Sequence, residues 1–165
     1  MSIKRQLGGK KAKRNGQSFE RNLIIEASYQ DFAHIQIPDG CRQLGFNKLI
    51  RVKSPFDFVF VNNKSELPKV IFCDAKSTLL KSFPYDKIKA HQLHDLLKFQ
   101  NTKYIKSGYI INFENLNKVV FFSAEKLRQS TYTKTKLTPE LGIEIGHKFK
   151  INLDLLFDDE ARSVV

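Results

Sequence analysis

A chain of 165 residues, 41% hydrophobic and 27% charged, has the composition of one folded domain and not of a disordered segment. Its apolar runs, such as Val119 to Phe122, fall far short of the roughly 18 residues a membrane span needs, so no membrane partner is expected. A formal net charge of +11 points to a polyanionic partner, most often nucleic acid.

Residues 1–14 carry Lys4, Arg5, Lys10, Lys11, Lys13 and Arg14 and no acid. With Gly8 and Gly9 they read as a flexible basic arm ahead of a single domain spanning 15–165. The start has no apolar core segment, which argues against a secretory signal. Cys41 and Cys73 show no CxxC or zinc-type spacing, so a reduced intracellular protein without structural zinc is expected.

A first helix is expected from about Gln17 to Tyr29, with Phe19, Leu23, Ile24 and Ala27 at helical spacing. Ala33 to Ile37 is a short extended piece ending in the turn Pro38-Asp39-Gly40, and Gly40 to Asn47 reads as a loop. Lys48 to Ser54 alternates like a strand, Asp57 to Val61 is a second β-rich run, and Lys69 to Lys76 is a third. The nearly continuous apolar centre of this third run suits a strand covered on both faces. A second helix is expected after Pro84, with Asp86 as its cap, reaching about Gln100. Gly108 to Phe113 and Lys118 to Ser123 read as a hairpin, and Ser123 as the cap of a helix over Ala124 to Gln129. Ile143 to Ile151 is β-like, and Leu153 to Phe157 is a short amphipathic piece. The order predicts an α/β fold, a mixed sheet flanked by helices.

Charged residues interrupt this pattern where a sheet protein normally avoids them. Asp57 opens one strand, and Asp74 and Lys76 close another. Positions i and i+2 of a strand face the same side, so Asp74 and Lys76 share a face. A hairpin of the two strands brings Asp57 to the same sheet edge. Two carboxylates a few ångströms apart repel unless a cation lies between them. Hard oxygen ligands suit Mg²⁺, which takes only one or two carboxylates and keeps its waters. Such an ion, with a lysine beside it, activates water for phosphodiester hydrolysis. Glu20 edges the apolar stripe of the first helix, and Gln92 lies within the stripe Ile88, Gln92, Leu96, Phe99 of the second. Each needs a polar partner if buried.

The succession of Glu20, Ser54-Pro55-Phe56-Asp57 and Asp74-Ala75-Lys76 resembles the PD-(D/E)XK nuclease superfamily, with its restriction-endonuclease-like fold. Within it, the chain is most similar to Holliday-junction resolvases of the RecU type. Asn15 to Glu20, Phe72 to Thr78, Phe83-Pro84 with Ala90 to Leu93, Ser107 to Phe113 and Val120 to Phe122 carry the resemblance over roughly residues 8–127. It implies a homodimer that binds four-way junction DNA in recombination and repair and makes paired, symmetric nicks. It makes Asp57, Asp74, the Ala75 carbonyl and Glu20 the holders of Mg²⁺, for which Mn²⁺ would substitute. It makes Lys76 the residue that orients water or stabilises charge, and Gln92 a support facing the site. The superfamily's Pro-Asp pair is split here by Phe56, and the second acid is Asp where Glu is frequent. RecU-type proteins carry a stalk that enters the junction, and the matching region here, Pro38 to Lys53, is short.

Lys10, Lys11, Lys13 and Arg14, extended by Arg51 and Lys53, read as a phosphate-backbone clamp, with Lys81, Lys87 and Lys89 as further candidates. His91 and His94 at i and i+3 lack a third metal ligand at suitable spacing. The alternatives are a restriction- or repair-type nuclease on duplex DNA, a non-catalytic DNA-binding module, and a basic RNA-associated protein. The resemblance places the protein in a bacterial cytoplasm, or in that of the host if phage-encoded.

Overall fold

The computed structural model describes residues 3–44, 48–62, 64, 67–99 and 101–158, and side chains for 14–40, 53–62, 64, 67–99 and 101–158. Helix α1 (Ile3–Tyr29) leads into strand β1 (Ala33–Gln36). A hairpin follows, β2 (Gly40–Leu44) with β3 (Lys48–Val52), and then come β4 (Phe58–Asn62) and β5 (Lys69–Thr78). A 3-10 turn at Tyr85–Lys87 precedes α2 (Ala90–Leu96). Strands β6 (Ile105–Phe113) and β7 (Lys118–Ser123), helix α3 (Ala124–Thr133), strands β8 (Ile143–His147) and β9 (Lys150–Ile151), and a 3-10 segment at Leu153–Phe157 complete the order.

Seven strands form one mixed sheet in the order β1-β4-β5-β6-β7-β8-β9, while β2 and β3 pair only with each other. Strand β5 is the centre of the arrangement. It runs antiparallel to β4 and parallel to β6, the crossover passing through α2. Its residues alternate between two cores. Ile71, Cys73 and Ala75 pack with Phe19, Leu23 and Ala27 of α1 on one face. On the other face Phe72 joins the core that includes Leu93 and Leu96 of α2 and Leu127 of α3. Burial on both faces accounts for the unbroken apolar run that marks this strand in the sequence.

Several elements depart from the expected bounds. Helix α1 starts at Ile3, so the segment expected as a flexible arm continues the helix backbone. Lys, Arg, Ala, Leu and Gln are good helix formers and outweigh the cost of Gly8 and Gly9. Gly40–Leu44, expected as a loop, is a strand, because Lys48–Val52 supplies it with a partner in full register. The second helix is much shorter than expected. Tyr85–Lys87 forms a separate turn, Ile88 and Lys89 are extended, and α2 holds only Ala90–Leu96. Asp86 lies in that turn and does not cap α2, whose first residue follows Lys89. Ser123 caps α3 as expected, its Oγ accepting from Lys126 N–H at 3.2 Å, and that helix extends to Thr133.

Candidate active site

The pairing of β4 with β5 decides where the carboxylates stand. Phe58 lies opposite Cys73, so the residue before it, Asp57, comes beside Asp74. The Asp57 N–H donates to the Cys73 carbonyl at 3.1 Å, and Asp57 Oδ2 accepts from the Ala75 N–H at 3.2 Å. Phe56 secures this corner. It is buried, and its ring lies edge-on to Phe72 at 5.4 Å and to Phe99 at 5.8 Å. Phe72 and Phe99 themselves stack at 3.9 Å. Each aromatic pair contributes about 1 kcal/mol beyond its area. The residue that splits the Pro-Asp pair is thus an anchor that holds Asp57 at the strand mouth.

Asp74 is fully buried. Its Oδ1 accepts from Gln92 Nε2 at 2.8 Å, and its Oδ2 is in direct contact with the ammonium of Lys76. Lys76 Nζ also lies 3.6 Å from Asp57 Oδ2, so a single ammonium serves both carboxylates. Gln92, buried on α2, is held in turn by Tyr109, whose hydroxyl donates to Gln92 Oε1 at 3.1 Å. This contact fixes which end of the amide faces Asp74. The same hydroxyl accepts from the Lys89 N–H at 3.4 Å, and Lys76 Nζ lies 5.3 Å from the centre of the Tyr109 ring.

The electrostatics follow from this crowding. Burial pushes the Asp74 carboxyl well above the usual aspartate range, and Asp57 at hydrogen-bonding range adds to the rise, while Lys76 opposes it. Glu20, half-buried on α1, is also raised, first by burial and then by the charge of Asp57, with Lys76 again opposing. Burial and the charge of Asp74 raise the Tyr109 phenol as well. Three carboxyl groups therefore compete for one lysine. Asp57, Asp74 and Glu20 offer hard oxygen donors, and Asp57 and Asp74 stand at hydrogen-bonding range of each other with one ammonium between them. This donor set fits a hard divalent cation. Among the described residues, no three His, Cys, Asp or Glu side chains group closely enough to hold a metal by themselves. A site here would consist of the two aspartates completed by main-chain oxygen and water. The same finding covers His91 and His94, which form no metal cluster.

The structure thus brings together Asp57, Asp74, Lys76 and Gln92, places the Ala75 main chain between the two acids, and sets Glu20 at the margin. Arg14 and Lys53 are exposed. The side chains of Lys10, Lys11, Lys13 and Arg51 lie outside the described residues. Tyr109 was not among the residues singled out from the sequence. In register it is the direct neighbour of Asp74 across the parallel β5–β6 pairing. Gly108 sets the strand approach beside it: a Cβ there would lie 1.9 Å from the Phe122 carbonyl oxygen.

No helix among the described residues is long and apolar enough to cross a membrane. A search of curated proteins found no match. The family model of recombination protein U (RecU) matches residues 48–154, a span that holds Asp57, Asp74, Ala75, Lys76, Gln92 and Tyr109 and leaves Glu20 outside. With that match over more than half of its length, the chain belongs to the RecU family of Holliday-junction resolvases.

Proposed function

We propose that the protein is a Mg²⁺-dependent endonuclease that resolves four-way DNA junctions as a homodimer, by paired, symmetric nicks. The observation that carries this reading is the union of Asp57, Asp74 and Lys76 at the mouth of β4 and β5, where two carboxylates share one ammonium and Asp74 is fully buried. Asp57, Asp74 and the Ala75 carbonyl would hold the ion, with Glu20 reaching it directly or through water, and Mn²⁺ would substitute. The ion, when bound, supplies a more acidic water and offsets the negative charge that builds on the scissile phosphate.

The chain's own residues do the positioning. Lys76 stands between Asp57 and Asp74; with those acids holding an ion, its ammonium would serve to bind a phosphate oxygen or to orient water. Gln92 keeps Asp74 from rotating, since its amide is anchored by Tyr109 on the far side. Two such sites related by a two-fold axis match the pseudo-symmetry of a junction and would cut opposing strands. Exposed Lys53 and Arg14, with the other basic residues of α1 and β3, would clamp the phosphate backbone.

Cleavage of a mobile four-way junction and of a duplex of the same sequence tests the proposal. Wild type should nick the junction symmetrically with Mg²⁺ and leave the duplex nearly intact. Asp74→Asn should bind the junction and fail to cut it. Equal cutting of both substrates would favour a duplex-directed nuclease, and an Asp74→Asn protein with every activity unchanged would favour a non-catalytic binding module.

A further inference from the structure

Beside the site, at the C-terminal end of β5, lies a groove of about 420 Å³ whose lining includes Lys76, Leu80, Phe83, Pro84, Lys87 and Lys89. We propose that this groove holds one unstacked nucleotide of the cleaved strand, next to the scissile phosphate, and that this capture favours branched over duplex DNA. The inference rests on the resolvase reading above and deepens it.

Three features fix the occupant. The first is charge: among the described residues Lys87 and Lys89, with Lys76 at the carboxylate end, line the groove and no acidic side chain does, and exposed Lys81 stands on the same loop. The second is the apolar part. Leu80, which lines the groove, is 57% exposed, and Leu79 beside it in the chain is 51% exposed, two adjacent large apolar side chains left open to solvent among the described residues. Phe83 beneath them is buried and pinned, exchanging backbone hydrogen bonds with Leu137 at 2.7 and 2.9 Å. Its ring lies edge-on to Tyr109 at 6.4 Å. The third is continuity: Lys76 belongs to both the carboxylate site and the groove. A ligand seated here is anionic at one end and flat and apolar at the other, and it adjoins the reacting phosphate. A nucleotide has that form, and the space suits one nucleotide and not a duplex.

The loop is preorganised for this. The Leu80 N–H donates to Thr78 Oγ1 at 3.1 Å, and Asn115 Nδ2 donates to the Leu79 carbonyl at 2.5 Å. Drawing a base out of a stack costs a few kcal/mol, least where the base is already unpaired or mismatched. The branch point of a junction offers such bases and an intact duplex does not. The groove therefore converts the ease of unstacking into a preference for branched DNA.

The test places 2-aminopurine on either side of the mapped nick in a four-way junction, with Ca²⁺ replacing Mg²⁺ to hold cleavage. Binding of wild type should raise fluorescence several-fold at one of the two positions in the junction and at neither in the duplex. Leu80→Ser, at an exposed position, should keep the wild-type circular dichroism. It should abolish the rise and lower the junction-to-duplex cleavage ratio about tenfold. Lys87→Gln with Lys89→Gln should weaken junction binding and reduce its salt slope by about two. No rise at either position with a junction that is still cut in Mg²⁺ overturns the groove and leaves the resolvase reading standing. An unchanged signal and ratio in Leu80→Ser overturns it too. A wild type that neither binds nor cuts the junction overturns both.

Discussion

Asp74→Asn should make the metal-free protein more stable while abolishing cleavage. The side chain is fully buried, and its carboxyl is raised well above the usual range by burial and by Asp57. At neutral pH the folded protein therefore holds either a buried charge that the unfolded chain would keep in water, or a proton that the unfolded chain would have lost. Asparagine has the same shape and keeps Oδ1 as the acceptor for Gln92 Nε2, so the 2.8 Å hydrogen bond survives. What disappears is the repulsion between two carboxylates at hydrogen-bonding range, and the Asn Nδ2 can instead donate to Asp57, a hydrogen bond to a charged group worth about 1.5–3 kcal/mol. The ion pair to Lys76 is lost as well, but Asp57 stands 3.6 Å from the same ammonium and takes up most of that loss. A net gain of about 1–2 kcal/mol corresponds to a Tm about 2–8 °C higher for a domain of this size.

The pH dependence gives this prediction its sign. The folded-state carboxyl keeps its proton above the ordinary value of 3.8, so in that window the folded state binds more protons than the unfolded one. Wild-type stability from this group then falls as pH rises through the folded-state pKa. The advantage of Asp74→Asn should be smaller at pH 5 than at pH 8. Mg²⁺ should reverse the order. Binding at a hundred times Kd adds about 3 kcal/mol to wild type, and the variant, lacking one ligand, should gain far less. Thermal denaturation in EDTA at both pH values, followed by Mg²⁺ titration, measures each of these. A variant less stable than wild type in EDTA at pH 8, or a gap that does not change with pH, would refute the account of Asp74 as a strained, cation-seeking group.

Tyr109→Phe removes the hydroxyl that holds Gln92 while keeping the ring, and should lower kcat about fivefold with little change in KM, the worth of one hydrogen bond of about 1 kcal/mol; an unchanged kcat in single-turnover cleavage would show that Gln92 needs no support. Phe56→Ala empties a buried aromatic corner and should cost about 3–4 kcal/mol in urea denaturation, with reduced cleavage in the fraction that remains folded. Gly108→Ala drives a methyl group against the Phe122 carbonyl oxygen and should cost at least about 3 kcal/mol or prevent folding, read as loss of cooperative denaturation. Junction affinity should fall steeply with salt, with a log–log slope of about −5 or steeper if six or more phosphates are contacted, and a shallow slope would argue against a basic clamp.

How much of this was legible in the sequence depends on how local each relation is. The meeting of Asp57 with Asp74 and Lys76 needs only the two-residue period of a strand and a hairpin between successive strands, and β4 and β5 obey both. Glu20 was legible for a similar reason: fully buried Phe19, Leu23 and Ala27 fix the face of α1, and the glutamate falls on its margin. Tyr109 was not legible. It reads as one more apolar residue of a strand, and its role arises from the parallel register that sets it beside Asp74, joined through a crossover no local pattern encodes. The late start of α2 has the same origin, since the N–H of Lys89, just before the helix, is directed to the Tyr109 hydroxyl. Strand β2 was missed because Gly-Cys-Arg-Gln-Leu has little β propensity and owes its form to its partner.

The charge pattern of the chain makes the same point about chemistry. An excess of eleven positive charges draws a polyanion from any direction, yet the candidate site holds two aspartates around one lysine, with Glu20 at its margin. Such a pocket repels a phosphate while its acids are ionised and unmatched, and the position of Lys76 between Asp57 and Asp74 only partly offsets this. A divalent cation would satisfy the aspartates, free the ammonium and turn the local potential towards the phosphate in one event. On the proposed reading, attraction of DNA and permission to react would be carried by different residues, the exposed lysines for the first and the clustered acids for the second. Such a separation would let the protein hold a junction without cutting it in EDTA. Neither the acids nor the clamp distinguishes a branch from a duplex. That distinction must come from parts that meet bases, and the groove beside Lys76, with its exposed leucines, is placed to do so.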